Sequence, residues 1–224
     1  MSERIDTPDV IIRRISVSDM DNNVYLLTAR ATGVRVLIDA ADDPEAIAAL
    51  LQESLHESAS DAGGGGEADG APALHAICTT HSHWDHVRAL PQVAATTGAT
   101  TMAGADDAGD IEHPTRRPLH HGDVVEVGRV CLEAIHLRGH TPGSIAFLLR
   151  TPDGPDHLFS GDSLFPGGVG KTNSPADFRS LLDDVEERLF DALPDDTVVH
   201  PGHGAATTIG AERPHLAEWR ERGW

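Results

Sequence analysis

Basic side chains and aromatic rings are scarce in this chain, as are cysteines. Against 36 Asp and Glu stand only 17 Lys and Arg, a formal net charge of -19. Nucleic acid and anionic membrane surfaces are therefore not expected partners, because phosphate binding needs a clustered basic face. Two cysteines, Cys78 and Cys131, make neither a disulfide framework of the secreted type nor a CxxC pair. Each lies in an apolar run, Ala76-Ile77-Cys78 and Val130-Cys131-Leu132, which predicts buried structural thiols. No apolar stretch of about 18 residues occurs, and the N-terminus carries no apolar core of a signal peptide. A cytoplasmic protein acting on a small molecule is the expectation; the sequence carries no reading of oligomeric state.

Aromatics make up 4%, yet hydrophobic residues reach 39% of 224, enough to bury a sizeable core. A single domain over residues 1–224 is expected. Val10 to Val17, Asn23 to Ala29 and Val34 to Ala40 read as a β-meander, and Pro44 to Leu55 as a helix with Ile47, Leu50, Leu51 and Leu55 on one face. Residues 57–72, with four consecutive glycines from Gly63 to Gly66, read as a disordered surface loop. Leu74 to Thr79 is a buried strand by its apolar run. Pro91 opens a helix that Gly98 closes. Strands follow at Thr100 to Ala103, Val124 to Val127, Val130 to Leu137, Ile145 to Arg150, Leu158 to Ser160 and Thr197 to His200. Phe178, Leu181, Leu182, Val185, Leu189 and Phe190 recur at helical spacing, so Ser174 to Leu193 is an amphipathic helix capped near Ser174 or Asp177, and Pro214 to Arg222 closes the chain as another.

Strand after strand ends in a turn that carries His or Asp. His81, His83, Asp85 and His86 follow one, His140 a second, Asp162 a third and His203 a fourth. On extended backbone His81 and His83 project to the same side and suit one ion, while Asp85 and His86 fall in a tightening turn and face elsewhere. So many ionisable groups at the end of a buried strand would carry a heavy desolvation cost without a compensating cation. The other histidines, at 56, 75, 113, 120, 121, 136, 157, 200 and 215, read as surface or satisfied core residues. Asn22 and Asn23 read as turn asparagines, and Trp84 either walls the pocket or packs beneath it.

The ordered segments Thr80-His81-Ser82-His83-Trp84-Asp85-His86, Gly139-His140-Thr141-Pro142-Gly143-Ser144, Ser160-Gly161-Asp162-Ser163-Leu164-Phe165 and Pro201-Gly202-His203-Gly204 resemble the metallo-β-lactamase superfamily, specifically its glyoxalase II-like hydrolases. The resemblance implies an α/β fold, a four-layer αββα sandwich, with the site at one edge of its two sheets. It also implies that His81, His83 and His140 hold one metal, that Asp85, His86 and His203 hold a second, and that Asp162 bridges them. Two divalent transition metals are expected, zinc first, with iron or manganese also accepted by imidazole and carboxylate. Such a pair shares a water whose pKa falls to roughly 7 and supplies hydroxide at neutral pH, with Asp85 orienting it. An aspartate at 162, where the best-known zinc β-lactamases show cysteine, disfavours antibiotic hydrolysis and favours cleavage of a thioester or related ester.

Phe165 to Thr172 resembles the glycine-rich loop whose basic residue contacts the thiol carrier in glyoxalase II-like enzymes, which implies Lys171 as the substrate anchor; a plain surface turn is the alternative. Asn173 stands where the glyoxalase II-like pattern has an aromatic, and the C-terminal helical extension of that branch does not follow Trp224. These departures leave the thiol carrier open, with an acyl ester of a low-molecular-weight thiol other than glutathione among the candidates. The alternatives are a persulfide dioxygenase with one iron on His83 or His81, His140 and Asp162, a lactonase of the same fold, and a structural zinc domain.

Overall fold

The computed structural model describes residues 2–61 and 74–223. In chain order it runs β1 (Glu3–Asp6), β2 (Val10–Val17), β3 (Asn22–Ala29), β4 (Arg35–Ile38), α1 (Pro44–Asp61), β5 (Ala76–Thr79), α2 (Trp84–Val87), α3 (Leu90–Thr97), β6 (Thr100–Gly104) and β7 (Arg117–Leu119). The second half holds β8 (Val124–Val127), β9 (Val130–His136), β10 (Ile145–Leu149), β11 (His157–Gly161), β12 (Leu164–Phe165), β13 (Gly168–Val169), α4 (Pro175–Val185), β14 (Val198–Pro201), β15 (Thr207–Thr208), α5 (Ile209–Glu212) and α6 (Leu216–Arg222). A seven-stranded sheet takes β1 to β7 in sequence order, and a six-stranded sheet has the order β15-β14-β11-β10-β9-β8.

Three apolar clusters define four layers. Between the sheets, Ile12, Tyr25, Leu27 and Ile38 pack against Leu132, Phe147 and Phe159. Outside the first sheet, Leu26, Leu37 and Ile77 meet Ile47, Leu50 and Leu51 of α1 and Val93 of α3. Outside the second, Ile135, Leu148 and Leu158 meet Phe178, Leu181 and Leu182 of α4 and Trp219 of α6. Successive strand residues thus feed opposite interfaces, which is why β3, β4 and β10 are buried along their whole length. The sandwich matches the αββα expectation.

Local chemistry accounts for most element ends. The Ser174 side chain accepts from the Asp177 amide and starts α4 with Pro175 in its first turn. Gly98, at φ 68°, closes α3 by donating its amide to Ala94. The single helix expected from Ser174 to Leu193 instead ends its α-helical part at Val185 and continues as a π-helical turn, Glu186–Phe190, which keeps Leu189 and Phe190 buried. The closing helix expected from Pro214 to Arg222 begins as a 3₁₀ turn over Arg213–His215 and becomes α-helical only in α6, with the unexpected short α5 before it.

Helix α1 runs through Asp61, into the expected loop at 57–72; from 62 on, that loop lies outside the described residues. Cys78 is buried, but Cys131 is exposed. Strand alternation turns Leu132 inward and leaves Cys131 facing out, which overrides the local apolar run. No helix among the described residues is long and apolar enough to cross a membrane.

Candidate metal centre

Strands β5, β9, β11 and β14 deliver His81, His140, Asp162 and His203 from their C-terminal ends to one edge of the sandwich. His83 keeps extended geometry, φ -61° and ψ 139°, at the start of α2 and makes no capping bond with its side chain, so the imidazole is left for the site. The one-turn α2 then swings Asp85 and His86 in from the other side. Ligand-capable atoms fall into three groups, each within 4.8 Å: His81, His83 and His140; His81, His86 and Asp162; and Asp85, His86 and His203. All seven sequence-predicted residues meet in one cluster, and Asp162 sits with one histidine from each expected trio. These His/Asp groups are compatible with a dinuclear divalent metal site.

Hydrogen bonds fix which way four of the five rings face. Nδ1 of His140 lies 2.7 Å from the Lys171 carbonyl, and Nδ1 of His203 lies 2.8 Å from the Met20 carbonyl. Nδ1 of His86 meets Asp39 Oδ2 at 2.9 Å. Nδ1 of His81 meets the Thr80 hydroxyl at 3.0 Å, whose own proton goes to Asp39 Oδ2 at 2.8 Å. Four outward nitrogens therefore face acceptors and carry the proton, so four Nε2 lone pairs point inward. Inside, the Nε2 atoms of His86 and His203 are 3.1 Å apart and those of His81 and His140 are 3.3 Å apart. Asp162 Oδ2 lies 3.6 Å from His140 Nε2 and 3.5 Å from His203 Nε2, while its buried Oδ1 has no hydrogen-bond partner. Converging Nε2 atoms and a buried carboxylate oxygen without a hydrogen-bond partner make a donor set of the chemistry a divalent cation takes. The residues fit two metal ions.

The electrostatics agree. Hydrogen bonding to Asp162, against the opposing effect of burial, raises His203 to about 9, with the Asp162 and Asp85 charges adding to it. Burial disfavours charge on His86, but the bond to Asp39 and the charges of Asp39, Asp162 and Asp85 raise its pKa nonetheless. Burial and the neighbouring imidazoles push His81 far down. The acidic groups pull positive charge into the pocket; the imidazoles cannot all supply it.

Two glycines make room at the closest approaches. A Cβ on Gly202 would stand 2.3 Å from Asp162 Oδ1 and 2.7 Å from His86 Cε1, and one on Gly170 would stand 1.8 Å from the Asp162 carbonyl oxygen. Glycine in Pro201-Gly202-His203-Gly204 is thus required by packing against two ligands.

Three functional side chains escaped the sequence reading. Asp39, at φ 57°, accepts from the Thr80 amide at 2.7 Å, from the Thr80 hydroxyl and from His86, so one carboxylate orients ligands of both trios. Its signal was an acid directly after the apolar run of β4. Asp107 accepts from the Ser82 amide at 2.8 Å, the Thr141 hydroxyl at 2.7 Å and the Gly143 amide at 2.6 Å, joining the His81 and His140 loops. Nothing local marks it. Asn22 is no left-handed turn residue; Ser18 and Asp21 hold those positions. Fully buried at the start of β3, Asn22 donates through Nδ2 to Asp85 Oδ2 at 3.0 Å.

Lys171 is exposed, and its backbone carbonyl is the His140 anchor. The glycine-rich run before it folds as the β12–β13 hairpin. Trp84 is 59% exposed, so it does not pack beneath the ligands; the Arg88 guanidinium lies 4.3 Å from its ring centre.

A family model described as the metallo-beta-lactamase superfamily matches residues 17–203. The chain belongs to that superfamily, and it is a metal-dependent hydrolase. It is 32% identical over 214 residues to a hydroxyacylglutathione hydrolase of Thermosynechococcus vestitus, a match covering 88% of this chain and 72% of that one. Among solved structures it is similar to ETHE1 from Myxococcus xanthus, with TM-score 0.72 and 29% identity over 92% of this chain and 82% of that one. It is also similar to TTHA1623 in a di-iron-bound form, with TM-score 0.65 and 31% identity over 89% of this chain and 96% of that one.

Proposed function

We propose that the protein hydrolyses a small-molecule thioester or a closely related ester, in the manner of the hydroxyacylglutathione hydrolases to which it is similar. His81, His83 and His140 hold one divalent transition metal, Asp85, His86 and His203 hold the other, and Asp162 is shared. The observation that carries this reading is the inward convergence of Nε2 atoms around the Asp162 carboxylate, with His140 and His203 facing its Oδ2 and His86 its Oδ1. When bound, two such ions lower the pKa of a water to roughly 7 and stabilise the oxyanion of acyl transfer. Zinc suits the imidazole and carboxylate set, and the same donors accept iron or manganese.

The chain's own residues supply the rest. Asp85, pinned by the Asn22 amide, orients the attacking water. Lys171, whose backbone carbonyl holds His140, is the residue we assign to anchoring an anionic part of the thiol carrier. Trp84 offers an apolar wall to the acyl group or the carrier. An aspartate at 162 in place of a thiolate separates this site from that of the best-known zinc β-lactamases. Unpaired Cys78 and Cys131 suit the reducing cytoplasm, the compartment we infer.

The deciding experiment couples metal quantification on natively purified protein to a panel of acyl thioesters on several low-molecular-weight thiols, with lactones, phosphoesters and persulfides alongside. The expected result is two transition-metal ions per chain and turnover of thioesters. A second reading, a persulfide dioxygenase with one iron on His81 or His83, His140 and Asp162, would show one iron per chain and oxygen uptake on a persulfide. Protein with full metal content that cleaves nothing in the panel overturns hydrolysis.

A further inference from the structure

The Pro201-Gly202-His203-Gly204 turn joins β11 through the Gly202 amide, which donates to the Gly161 carbonyl at 2.8 Å, and its other backbone anchors come from the β2–β3 hairpin. Asn23 takes the Gly202 carbonyl with its amide at 2.7 Å. Its Nδ2 donates to the carbonyls of Pro201 and Gly204, both at 2.9 Å, and the Tyr25 hydroxyl adds a bond to Pro201 at 2.7 Å. The Gly204 amide donates to the Asp21 carbonyl at 3.2 Å. Behind this set stands one charged group. Arg14 donates from Nε to Asn23 Oδ1 at 2.7 Å, from Nη2 to the Gly204 carbonyl at 2.9 Å and from Nη1 to Glu3 Oε2 at 2.9 Å. The first of these bonds dictates the orientation of the Asn23 amide: with Oδ1 claimed by the guanidinium, Nδ2 has to face the His203 turn.

We propose that Arg14 is a positioning residue for the second metal site: its fork orients Asn23 and the Gly204 carbonyl, and thereby sets the affinity of the Asp85, His86 and His203 trio for its ion. The inference rests on the two-ion reading above. The first trio owes nothing to this hairpin, since His81 is oriented by Thr80 and His140 by the Lys171 carbonyl. Loss of Arg14 therefore acts on one ion and spares the other. A planar fork is needed, because a lysine ammonium cannot satisfy Asn23 and Gly204 in that geometry.

The test is stepwise cobalt titration of the metal-free full-length chain, followed by visible absorption and calorimetry, with circular dichroism as the check on folding. Wild type is expected to take up two ions per chain. Arg14→Ala should weaken the second ion by about 10- to 100-fold, the range for losing a group that orients a ligand, and leave the first within about twofold. Arg14→Lys, which keeps the charge on the strand, should weaken the second ion nearly as much, whereas Glu3→Gln should change neither. Equal weakening of both ions, or an unchanged second ion in folded Arg14→Lys, overturns the assignment. A wild-type chain that takes up a single ion overturns the two-ion reading itself, before any variant is made.

Discussion

Strands β11 and β14 each carry a histidine inside the sheet and a ligand just beyond its end, and the two environments could hardly differ more. His157 and His200 are buried, at 4% and 2% exposure, with Nδ1 of one 3.0 Å from Nε2 of the other. Their rings stack, and His200 also stacks on Phe159 and meets the Tyr25 ring edge-on. A few residues on, Asp162 and His203 join a cluster with other histidines and Asp85. Burial is common to both places; what separates them is where the second nitrogen looks. In the pair, one ring's proton satisfies the other ring and the unit closes on itself. In the cluster, Nδ1 atoms are spent on carbonyls, a hydroxyl and Asp39, so the inner nitrogens and two carboxylates are left facing one another. A metal site is thus defined by outward anchoring and acidic company, not by buried imidazole alone.

The sharpest way to break that contrast is to crowd the cluster without touching a ligand. Gly202→Ala places a methyl against Asp162 Oδ1 and His86, and it should lower thioester turnover by at least about 100-fold with reduced metal content. Retained activity and full metal loading in that variant would show that the ligands tolerate displacement. Asp39→Ala removes the common orienter of His86 and Thr80. A loss of about 10- to 100-fold in metal affinity is expected, affecting both ions, together with about 1–3 kcal/mol of stability from the donors left unpaired. Metal titration and chemical denaturation of the same preparation separate the two effects.

The closed pair makes its own prediction about acid. Burial, the neighbouring His157 and the Arg14 charge hold His200 down from 6.5 to about 3, and burial lowers His157 as well. Both rings are neutral in the fold, while the unfolded chain protonates them near 6.5. The unfolded state therefore binds more protons below that value, and stability falls with falling pH. Each histidine contributes a slope of about 1.4 kcal/mol per pH unit until its folded pKa is reached. Replacing His200 by Phe, which keeps the stack on Phe159, should reduce proton uptake on unfolding near pH 5 by about one; an unchanged slope would show that the pair is not what titrates. The smallest effect belongs to the rim. Trp84→Ala should cost less than about 0.5 kcal/mol of stability, being exposed, while raising KM for apolar thioesters more than it lowers kcat.

Much of the site was legible before any coordinates. Four of its ligands come from one short segment in which several ionisable residues follow an apolar strand, a placement costly enough to be visible in one dimension, while His140, Asp162 and His203 stand singly in turns after later strands. β2 and β8 also match their expected ranges, because they are β-branched runs bounded by turn residues. What stayed hidden is whatever depends on a partner far along the chain: Asp107 reaching 34 residues on to Thr141, or Asn22 reaching Asp85. The exposed Cys131 and the π-helical turn after Val185 show the same limit, since a local apolar pattern does not say which face a neighbouring layer will cover.

The longer strands and helices in their order and the identity of the seven ligand-type residues were determined by the amino-acid sequence alone, because strand period and motif chemistry are local properties. Only the tertiary structure decided that their nitrogens point inward, which carboxylate holds them there, and that His203 hangs on the β2–β3 hairpin. The direction of a side chain at an edge is set by hydrogen bonds between segments up to 190 residues apart, and no local pattern encodes them.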